Sequence, residues 1–407
     1  MSIPLTSGHV GDMAVNTRRV NRQRLLDAIR RHGPISRADL AKRTALSPPT
    51  VSGLVEELVT DVGLLREVGI GASSGGRPPV LLEFNAEYGY LVGVDIGSRT
   101  LRVALTDLQG KVIARKEERT RAESCEATIE QVGTAIEATI REAGRDMRKL
   151  FAVGIGAPGM TDVNSGKVIS ATNLVGWTNV PLRDLIQARL GTAVRVDNDA
   201  NMAALGERWM GVARSASHFV FLALGAGVGA GVMIDGRLHR GHHWYAGEIC
   251  RMTLDYRDWQ IDFGERGYLE SRISAAAIPD WAHARNIVER AGRDREAAMR
   301  TIFEAAARGD AEALAVVEEL GIFLGSAVAN IVSVLDPSLV VFGGGLSHGG
   351  SVLLEPVRKV VARIVPNVPL LATSALGDDA PLLGSVYSAM ELAEAKVAAI
   401  AGSARRV

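Results

Sequence analysis

An acidic side chain follows an apolar stretch at a point where ligands commonly bind in α/β proteins. The strand-like residues 193–196 lead into Asp-Asn-Asp-Ala-Asn at 197–201, where a helical pattern starts. Polar residues between a strand and a helix lie at the edge where open α/β sheets hold ligands. Asp199 could therefore take a proton from an attacking hydroxyl, with Asn198 binding a neighbouring hydroxyl. A helix N-cap explains the same residues equally well, because Asp and Asn are preferred there.

Glycine-containing turns after strands form a second set of candidate ligand contacts. Asp95 and Gly97 close one apolar strand, and a similar pattern recurs about 130 residues later at Gly225 and Gly227. Backbone N–H groups in such turns can bind a phosphate, whereas most aspartates at strand ends only satisfy local backbone donors. Gly344 follows another strand, where we favour close packing. The repeat predicts two similar α/β lobes with a ligand cleft between them.

Charge is unevenly distributed along the 407 residues. Lys and Arg total 46, as do Asp and Glu, yet the first 55 residues carry nine basic side chains against three acidic ones. This basic head suits a phosphate backbone. Two cysteines exclude a disulfide framework and favour a reducing compartment. Since no secretory signal is recognisable and the longest apolar run, 219–234, has glycines at alternate positions, we expect a cytoplasmic protein outside the membrane.

Three helices are predicted in the head, each with a recognisable start or end. Ser36 and Asp39 form a capping box for the second helix, and Ser47 caps the third, with Pro48 in its first turn. The apolar residues of the third helix recur at i, i+3, i+4 and i+7, which is the pattern of a helix-turn-helix whose second helix meets DNA. The residues predicted to face DNA are Ser47, Pro49, Thr50 and Ser52.

A β-hairpin is predicted after the third helix. Two short apolar runs, 64–68 and 80–84, flank a segment rich in Gly, Ser and Pro at 69–79. The hairpin would form a wing, with Arg77 entering a minor groove or contacting phosphate. The alternative is a purely structural bundle of three helices followed by a linker.

In order and spacing, these segments resemble the ROK family (repressors, open reading frames and kinases) over nearly the whole chain. The stretches that carry the resemblance are 93–97, 154–159, 198–201, Gly206-Glu207, 225–231, Ala246-Gly247-Glu248-Ile249 and Gly343-Gly344-Gly345. The resemblance implies an α/β, actin-like (ribonuclease-H-like) duplicated fold whose two lobes bind a sugar and, in the kinases, ATP. A winged helix-turn-helix in front marks the regulator branch of the family.

The resemblance also implies domain boundaries and site residues. We expect a flexible N-terminus at 1–17, a winged head at 18–85, a first lobe at 86–199 with a C-terminal helix at 384–402 packed against it, and a second lobe at 200–383. Asp199 matches the family's catalytic base, here vestigial. The positions matching the sugar side are Gly159, Asn173, Asn198, Asp199, Glu248, Arg251 and Glu270. The phosphate or nucleotide positions are Asp95, Gly97, Gly225, Gly227 and Gly344.

Departures from the family pattern predict the absence of its zinc site. Relatives carry a histidine where this chain has Arg251, and three cysteines where it has Ile261, Phe263 and Tyr268. We expect these three side chains to pack in place of the metal, and Cys250 to be a small buried side chain. His242 and His243 lack the further ligands that a zinc site needs. We therefore predict no metal and no cofactor.

Phosphate binding is weakened as well, because Ser98 replaces a glycine and Ala226 replaces a threonine of the family pattern. These features predict a sugar-responsive transcriptional regulator, a homodimer or homotetramer on a pseudo-palindromic operator, with an effector that is a sugar or sugar derivative. The alternative is an active sugar kinase that uses ATP and Mg²⁺. Arg251 either pairs with Asp255 or Asp262 or selects an anionic effector.

Overall fold

The computed structural model describes residues 8–71, 78–172, 174–275, 277–281, 284 and 295–402. Arg77 and Asn173, two of the predicted ligand contacts, lie outside the described residues. The described ranges form a head of three helices with a three-stranded sheet, and two lobes that are each built on a five-stranded sheet.

The head starts with α1 (Gly8–His32), which is helical from within the stretch 1–17 that was predicted to be flexible. Extending a helix costs little once it is nucleated. The remaining head elements are β1 (Ile35–Ser36), α2 (Arg37–Thr44), α3 (Pro48–Glu56), a π-helical turn (Glu57–Asp61), β2 (Leu65–Ile70) and β3 (Val80–Phe84). Strands β2 and β3 form the antiparallel hairpin of the wing, and β1 pairs with the other side of β3.

Side-chain caps define the start of each helix of the helix-turn-helix. The Ser36 hydroxyl accepts a hydrogen bond from the Asp39 N–H at 3.1 Å and donates one to its carboxylate at 2.8 Å. The Ser47 hydroxyl accepts from the Thr50 N–H at 3.3 Å. The apolar side of α3 and of the turn after it is buried through Val51, Leu54, Val55 and Leu58. Burial of that side leaves the opposite side of α3 free to contact a partner.

The first lobe is built on a five-stranded sheet of order β11-β7-β4-β5-β6. Its elements are β4 (Tyr90–Ile96), β5 (Thr100–Asp107), β6 (Val112–Arg119), α4 (Cys125–Glu142), β7 (Leu150–Ala157), β8 (Met160–Asp162), β9 (Lys167–Ser170), β10 (Thr178–Val180), α5 (Leu182–Leu190) and β11 (Ala193–Asn198). Strands β4, β5 and β6 pair antiparallel, whereas β7 and β11 continue the sheet in parallel.

The second lobe repeats this arrangement with the order β14-β13-β12-β15-β16. Its described elements are α6 (Asp199–Trp209), β12 (Phe219–Leu224), β13 (Val228–Ile234), β14 (Arg237–Leu238), α7 (Tyr268–Ile273), α8 (Arg295–Ala307), α9 (Ala311–Leu335), β15 (Leu339–Gly343), α10 (Gly350–Ile364), β16 (Leu370–Thr373) and α11 (Ala380–Gly402). Since pairing directions match those of the first sheet strand by strand, the predicted duplicated α/β fold is confirmed.

The last helix, α11, packs backbone to backbone against both lobes. It starts at Ala380, before the predicted residue 384, and contacts α6, β4 and β7. A Cβ atom on Gly384 would lie 1.7 Å from the Met202 carbonyl oxygen of α6, and one on Gly154 of β7 would lie 2.0 Å from the Ser385 carbonyl oxygen. Such close contact leaves little room for α11 to slide over the lobes.

The far end of α11 belongs to the hydrophobic core of the head. One cluster of buried side chains combines head residues such as Leu25, Leu54 and Leu82 with Ala393 and Val397 of α11. The head is therefore fixed to the body by a shared apolar core as well as by the chain connection.

Helix α9 is long and apolar enough to cross a membrane, judged by length and composition alone, and is the one described helix of this kind. Most of its apolar window is buried inside the second lobe. That burial is typical of the central helix of a folded domain.

Candidate functional site

The cleft between the lobes contains a cavity of about 340 Å³, a size common among small-molecule sites. The first lobe contributes the turn after β4 and the end of β11, and the second contributes the start of α6 and the turn between β12 and β13. Predicted site residues that line the cavity are Asp95, Gly97, Gly159, Asn198, Asp199, Gly225, Gly227, Glu248, Arg251, Glu270 and Gly344. The fold thus brings together residues that are up to 249 positions apart.

The start of α6 separates the two roles that the sequence left open for Asn198 and Asp199. Asn198 is the N-cap, since its side-chain oxygen accepts from the N–H groups of Ala200 at 2.9 Å and Asn201 at 3.2 Å. Its side-chain nitrogen donates to the Gly159 carbonyl at 2.9 Å. Asp199 is the first residue of the helix and lies on the cavity wall. The capping role belongs to Asn198, and the carboxylate of Asp199 faces the ligand space.

Asp199 and Asp95 are poised to hold protons near neutral pH. Burial raises the pKa of Asp199 to about 6 against the hydrogen bond from the Ala200 N–H, and the charge of Glu248 raises it further. Burial and the neighbouring Asp199 raise the pKa of Asp95 to about 7, although the Arg102 guanidinium lies 3.4 Å away. A carboxyl with a pKa near the working pH can either accept a hydrogen bond from a hydroxyl or exchange a proton with it.

Glu248 and Glu270 face the same cavity from the second lobe. Burial raises the pKa of both carboxyls. Glu270 accepts a hydrogen bond from the Val228 N–H at 2.9 Å, and the Cys250 thiol lies 3.6 Å from Glu248. Together with the two aspartates, and with Glu265 and Asp378, the cavity wall is lined by six acidic residues, which suit a ligand rich in hydroxyl donors.

Arg102 is a cavity residue that sequence reasoning missed. It lies opposite Asp95 in the β4–β5 register and donates to the Asp378 carbonyl at 3.3 Å. The spacing of the predicted hairpin could have shown this contact, because a tight turn at 97–100 makes residues 95 and 102 partners on adjacent strands. Asp378, by contrast, comes to the cavity only through the tertiary placement of the segment before α11.

A second chamber of about 270 Å³ adjoins the cavity and carries the opposite charge. Its charged lining comprises Arg99, Arg102, Arg300 and Asp378. Gly97, Ser98 and Gly225 lie on the walls of both chambers. The excess of guanidinium groups favours an anion here.

The recognition surface of the head lies on the exposed side of α3. Ser47, Pro49, Thr50 and Ser52 are all exposed there. The Ser47 and Thr50 hydroxyls are 2.8 Å apart and hydrogen-bonded to each other. A DNA contact by either hydroxyl must therefore share or replace this bond.

Comparisons with known proteins agree with this architecture. The model of the ROK family matches residues 91–391, and a winged helix-turn-helix DNA-binding model matches residues 18–61. The chain belongs to the ROK family. It is 33% identical to a putative xylose repressor of Caldicellulosiruptor sp. over 84% of this chain and 88% of the relative, and 35% identical to a glucokinase of Thermotoga maritima over 72% and 95%.

A solved ROK regulator shows the same arrangement of head and lobes. The crystal structure of a ROK family transcriptional regulator, a homologue of the Escherichia coli MLC protein, superposes with a TM-score of 0.77 at 26% identity and covers 94% of this chain and 99% of its own. The prediction of a ROK regulator with a winged head is thereby confirmed.

The segment that holds zinc in other ROK proteins does not fit the metal here. Phe263 and Tyr268 meet edge to face at 5.2 Å, and the Arg272 guanidinium lies over both rings. Burial raises the pKa of the Cys250 thiol to about 12, which opposes the thiolate form that binds zinc. No group of three His, Cys, Asp or Glu with metal-binding geometry occurs among the described residues.

The packing predicted for Ile261 is wrong. This side chain is 51% exposed, and only Phe263 and Tyr268 turn inward. The reason is local: Ile261 ends a short 3-10 turn, and Asp262 then accepts a hydrogen bond from the Gly264 N–H at 2.7 Å. That turn directs the chain so that Phe263, not Ile261, reaches the core.

The ion pairs predicted for Arg251 are also wrong. Its guanidinium donates to the carbonyl oxygens of Gly264 at 3.5 Å and Glu265 at 3.1 Å. Asp255 instead pairs with Arg257, and Asp262 caps a turn. Within the part of the chain that the structure describes, Arg251 thus lines the cavity and donates to these two neutral oxygens, while its charge lowers the pKa of both nearby glutamates.

Proposed function

We propose that this ROK protein is a sugar-responsive repressor of genes for carbohydrate use. Its head binds operator DNA, and a neutral sugar binds in the cleft. The observation that carries the proposal is the course of α11, which begins beside Pro381 on the cavity wall and ends in the core of the head. Because this helix packs tightly against both lobes, a change in lobe arrangement displaces the head.

The charge of the cavity supports a neutral effector. Six acidic residues line it against the two arginines Arg102 and Arg251, and Arg102 already contacts Asp95. A phosphate or carboxylate on the sugar would be repelled by these groups, whereas sugar hydroxyls would donate hydrogen bonds to them. D-xylose is the first sugar to test, since the relative from Caldicellulosiruptor is named as a putative xylose repressor.

Two polar contacts connect α11 to helix α1 of the head, and one of them continues to the end of the recognition helix. Arg22 donates to the Gly402 carbonyl at 3.2 Å at the end of α11 and also pairs with Glu57, which directly follows α3. Arg30 donates to both carboxylate oxygens of Glu394 at 2.7 and 2.8 Å. The sugar must bind one arrangement of lobes and head better than the other, and these contacts transmit that preference to the head, with Arg22 carrying it to the end of α3.

The symmetry of the operator and of the assembly can be inferred from the type of DNA-binding head. Two heads related by two-fold symmetry would bind a pseudo-palindromic site with half-sites about one helical turn, or a multiple of it, apart. We propose a homodimer or homotetramer that acts in the cytoplasm without zinc.

The test is the affinity of the protein for DNA upstream of its own gene, measured by fluorescence anisotropy with and without D-xylose, D-glucose and N-acetylglucosamine. We expect nanomolar-range binding that one of these sugars changes at least severalfold. The double variant Thr50→Ala/Arg77→Ala should lose most of the affinity, and the body variant Thr134→Ala should keep it. Unchanged binding by the double variant would exclude DNA recognition through the head.

A second candidate, an active sugar kinase, is favoured by the pKa of Asp199 near 6 and by the arginine-lined chamber beside it. In that case Asp199 would deprotonate the sugar hydroxyl, and the chamber would hold the phosphates of ATP. Sugar-dependent release of ADP that Asp199→Asn abolishes would establish this activity. The substitutions Ser98 and Ala226 lead us to expect none.

A further inference from the structure

An ion pair between a buried aspartate and a half-buried arginine joins the two lobes beside the cavity. Asp197 ends β11 in the first lobe and is 1% exposed. Arg240 follows β14 in the second lobe and donates through Nε at 2.9 Å and Nη2 at 2.7 Å to the Oδ2 atom of Asp197. Two donors on one buried oxygen make this a strong charge-assisted contact between the lobes.

The other oxygen of Asp197 fixes the start of α6. Its Oδ1 atom accepts from the Asn198 N–H at 2.8 Å and from the Asn201 side chain at 2.9 Å. These bonds hold the residues on either side of Asp199. The carboxylate of Asp197 thus connects Arg240 to the first-lobe wall of the cavity.

Arg240 also begins the loop that forms the second-lobe wall. The Arg240 carbonyl accepts from the Ala246 N–H at 3.2 Å, and the Gly247 carbonyl accepts from the Ala230 N–H of β13 at 2.8 Å. Tyr245 and Glu248, which line the cavity, lie in this loop. Both ends of the loop are therefore anchored, one to the first lobe and one to the second-lobe sheet.

We propose that Arg240 is a positioning residue for effector binding, which sets Glu248 and Asp199 at their spacing in the cavity wall without contacting the sugar. The proposal rests on the proposed function, because it assigns Arg240 to recognition of the same sugar. Since ligand affinity depends on contacting groups held in place before binding, loosening this pair weakens binding of the sugar more than binding of DNA.

The experiment compares Arg240→Ala and Arg240→Lys with wild type, and uses Arg195→Ala as the matched control. Arg195 lies on the same strand as Asp197 but pairs with the surface residue Glu391 at 3.0 Å. Calorimetry with D-xylose, D-glucose and N-acetylglucosamine gives the affinity, anisotropy without sugar gives operator binding, and hydrogen exchange reports on residues 241–248.

We expect Arg240→Ala to weaken sugar binding about tenfold or more, the scale of a small displacement of contacting groups. Arg240→Lys, which keeps the charge but loses the forked contact, should fall in between. The affinity of Arg240→Ala for the operator without sugar should match that of wild type. The Arg195→Ala variant should match wild type in both sugar affinity and operator affinity. Equal sugar affinity in Arg240→Ala, or an equal loss in Arg195→Ala, would overturn the proposal.

Hydrogen exchange separates this inference from the proposed function. If wild type binds none of the sugars, the proposed function fails. Faster exchange at 241–248 confined to the Arg240 variants would still support the positioning role, and unchanged exchange would refute it.

Discussion

Replacing Val397 with alanine is expected to weaken the effect of sugar on operator binding while leaving sugar affinity unchanged. Val397 lies on α11, is 1% exposed and packs in the cluster that the helix shares with the head. The change deletes two buried methyl groups, worth about 0.8 kcal/mol each, and the cavity left behind adds to the cost. We therefore expect the packing between α11 and the head to lose about 2 kcal/mol of stabilising free energy.

This loss is comparable to the free energy that links two sites in allosteric proteins, about 1–3 kcal/mol. Weaker packing between α11 and the head should reduce the coupling between the position of α11 and the position of the head. The ratio of operator dissociation constants with and without sugar should therefore move toward one. Fluorescence anisotropy gives this ratio, and calorimetry checks that the sugar still binds as in wild type.

Val316→Ala provides the matched control, because Val316 is equally buried but lies in the core of the second lobe. Its cost in stability should be similar, and its sugar response should equal that of wild type. If both variants lose the response to the same extent, or if neither does, transmission through the shared core is refuted.

Three further changes test other parts of the structure. Thr50→Ala alone should weaken operator binding by about 1 kcal/mol through the lost hydroxyl, and should weaken binding to DNA of scrambled sequence by less. An equal loss of affinity for both DNAs, relative to wild type, would exclude a base contact by Thr50. The raised pKa values of Asp95 and Asp199, about 7 and 6, mean that the folded chain binds more protons than the unfolded chain above about pH 4. Thermal stability of the sugar-free protein should accordingly fall as pH rises from about 4 to 7, and Asp199→Asn should flatten this slope. Gly384→Ala should destabilise the body severely, since the new methyl group would meet the Met202 carbonyl; a melting temperature like that of wild type would contradict the packing of α11.

Local signals in the sequence predicted the elements that carry the candidate site. Ser47 predicted the start of the recognition helix, and the repeated strand-turn-strand pattern at Asp95 and Gly225 predicted the duplicated lobes. In each case the signal lies within a few residues of the feature it predicts, so chain geometry alone suffices.

Contacts that depend on distant parts of the chain were not predictable in the same way. Arg251 was expected to pair with a nearby acid, yet a turn placed carbonyl oxygens closer. The partner of Arg240 is 43 positions away on the other lobe, and no local pattern specifies it. Side-chain partners follow from tertiary packing, which a single sequence encodes only collectively.

The core that α11 shares with the head has a consequence for synthesis of the protein. The cluster of buried side chains that contains Leu25 and Leu54 also contains Ala393 and Val397, near the C-terminal end of α11. At about 5–20 residues per second, the ribosome needs roughly 20–80 s to make the intervening chain. During that time the emerging head lacks the side chains that α11 adds to its apolar core.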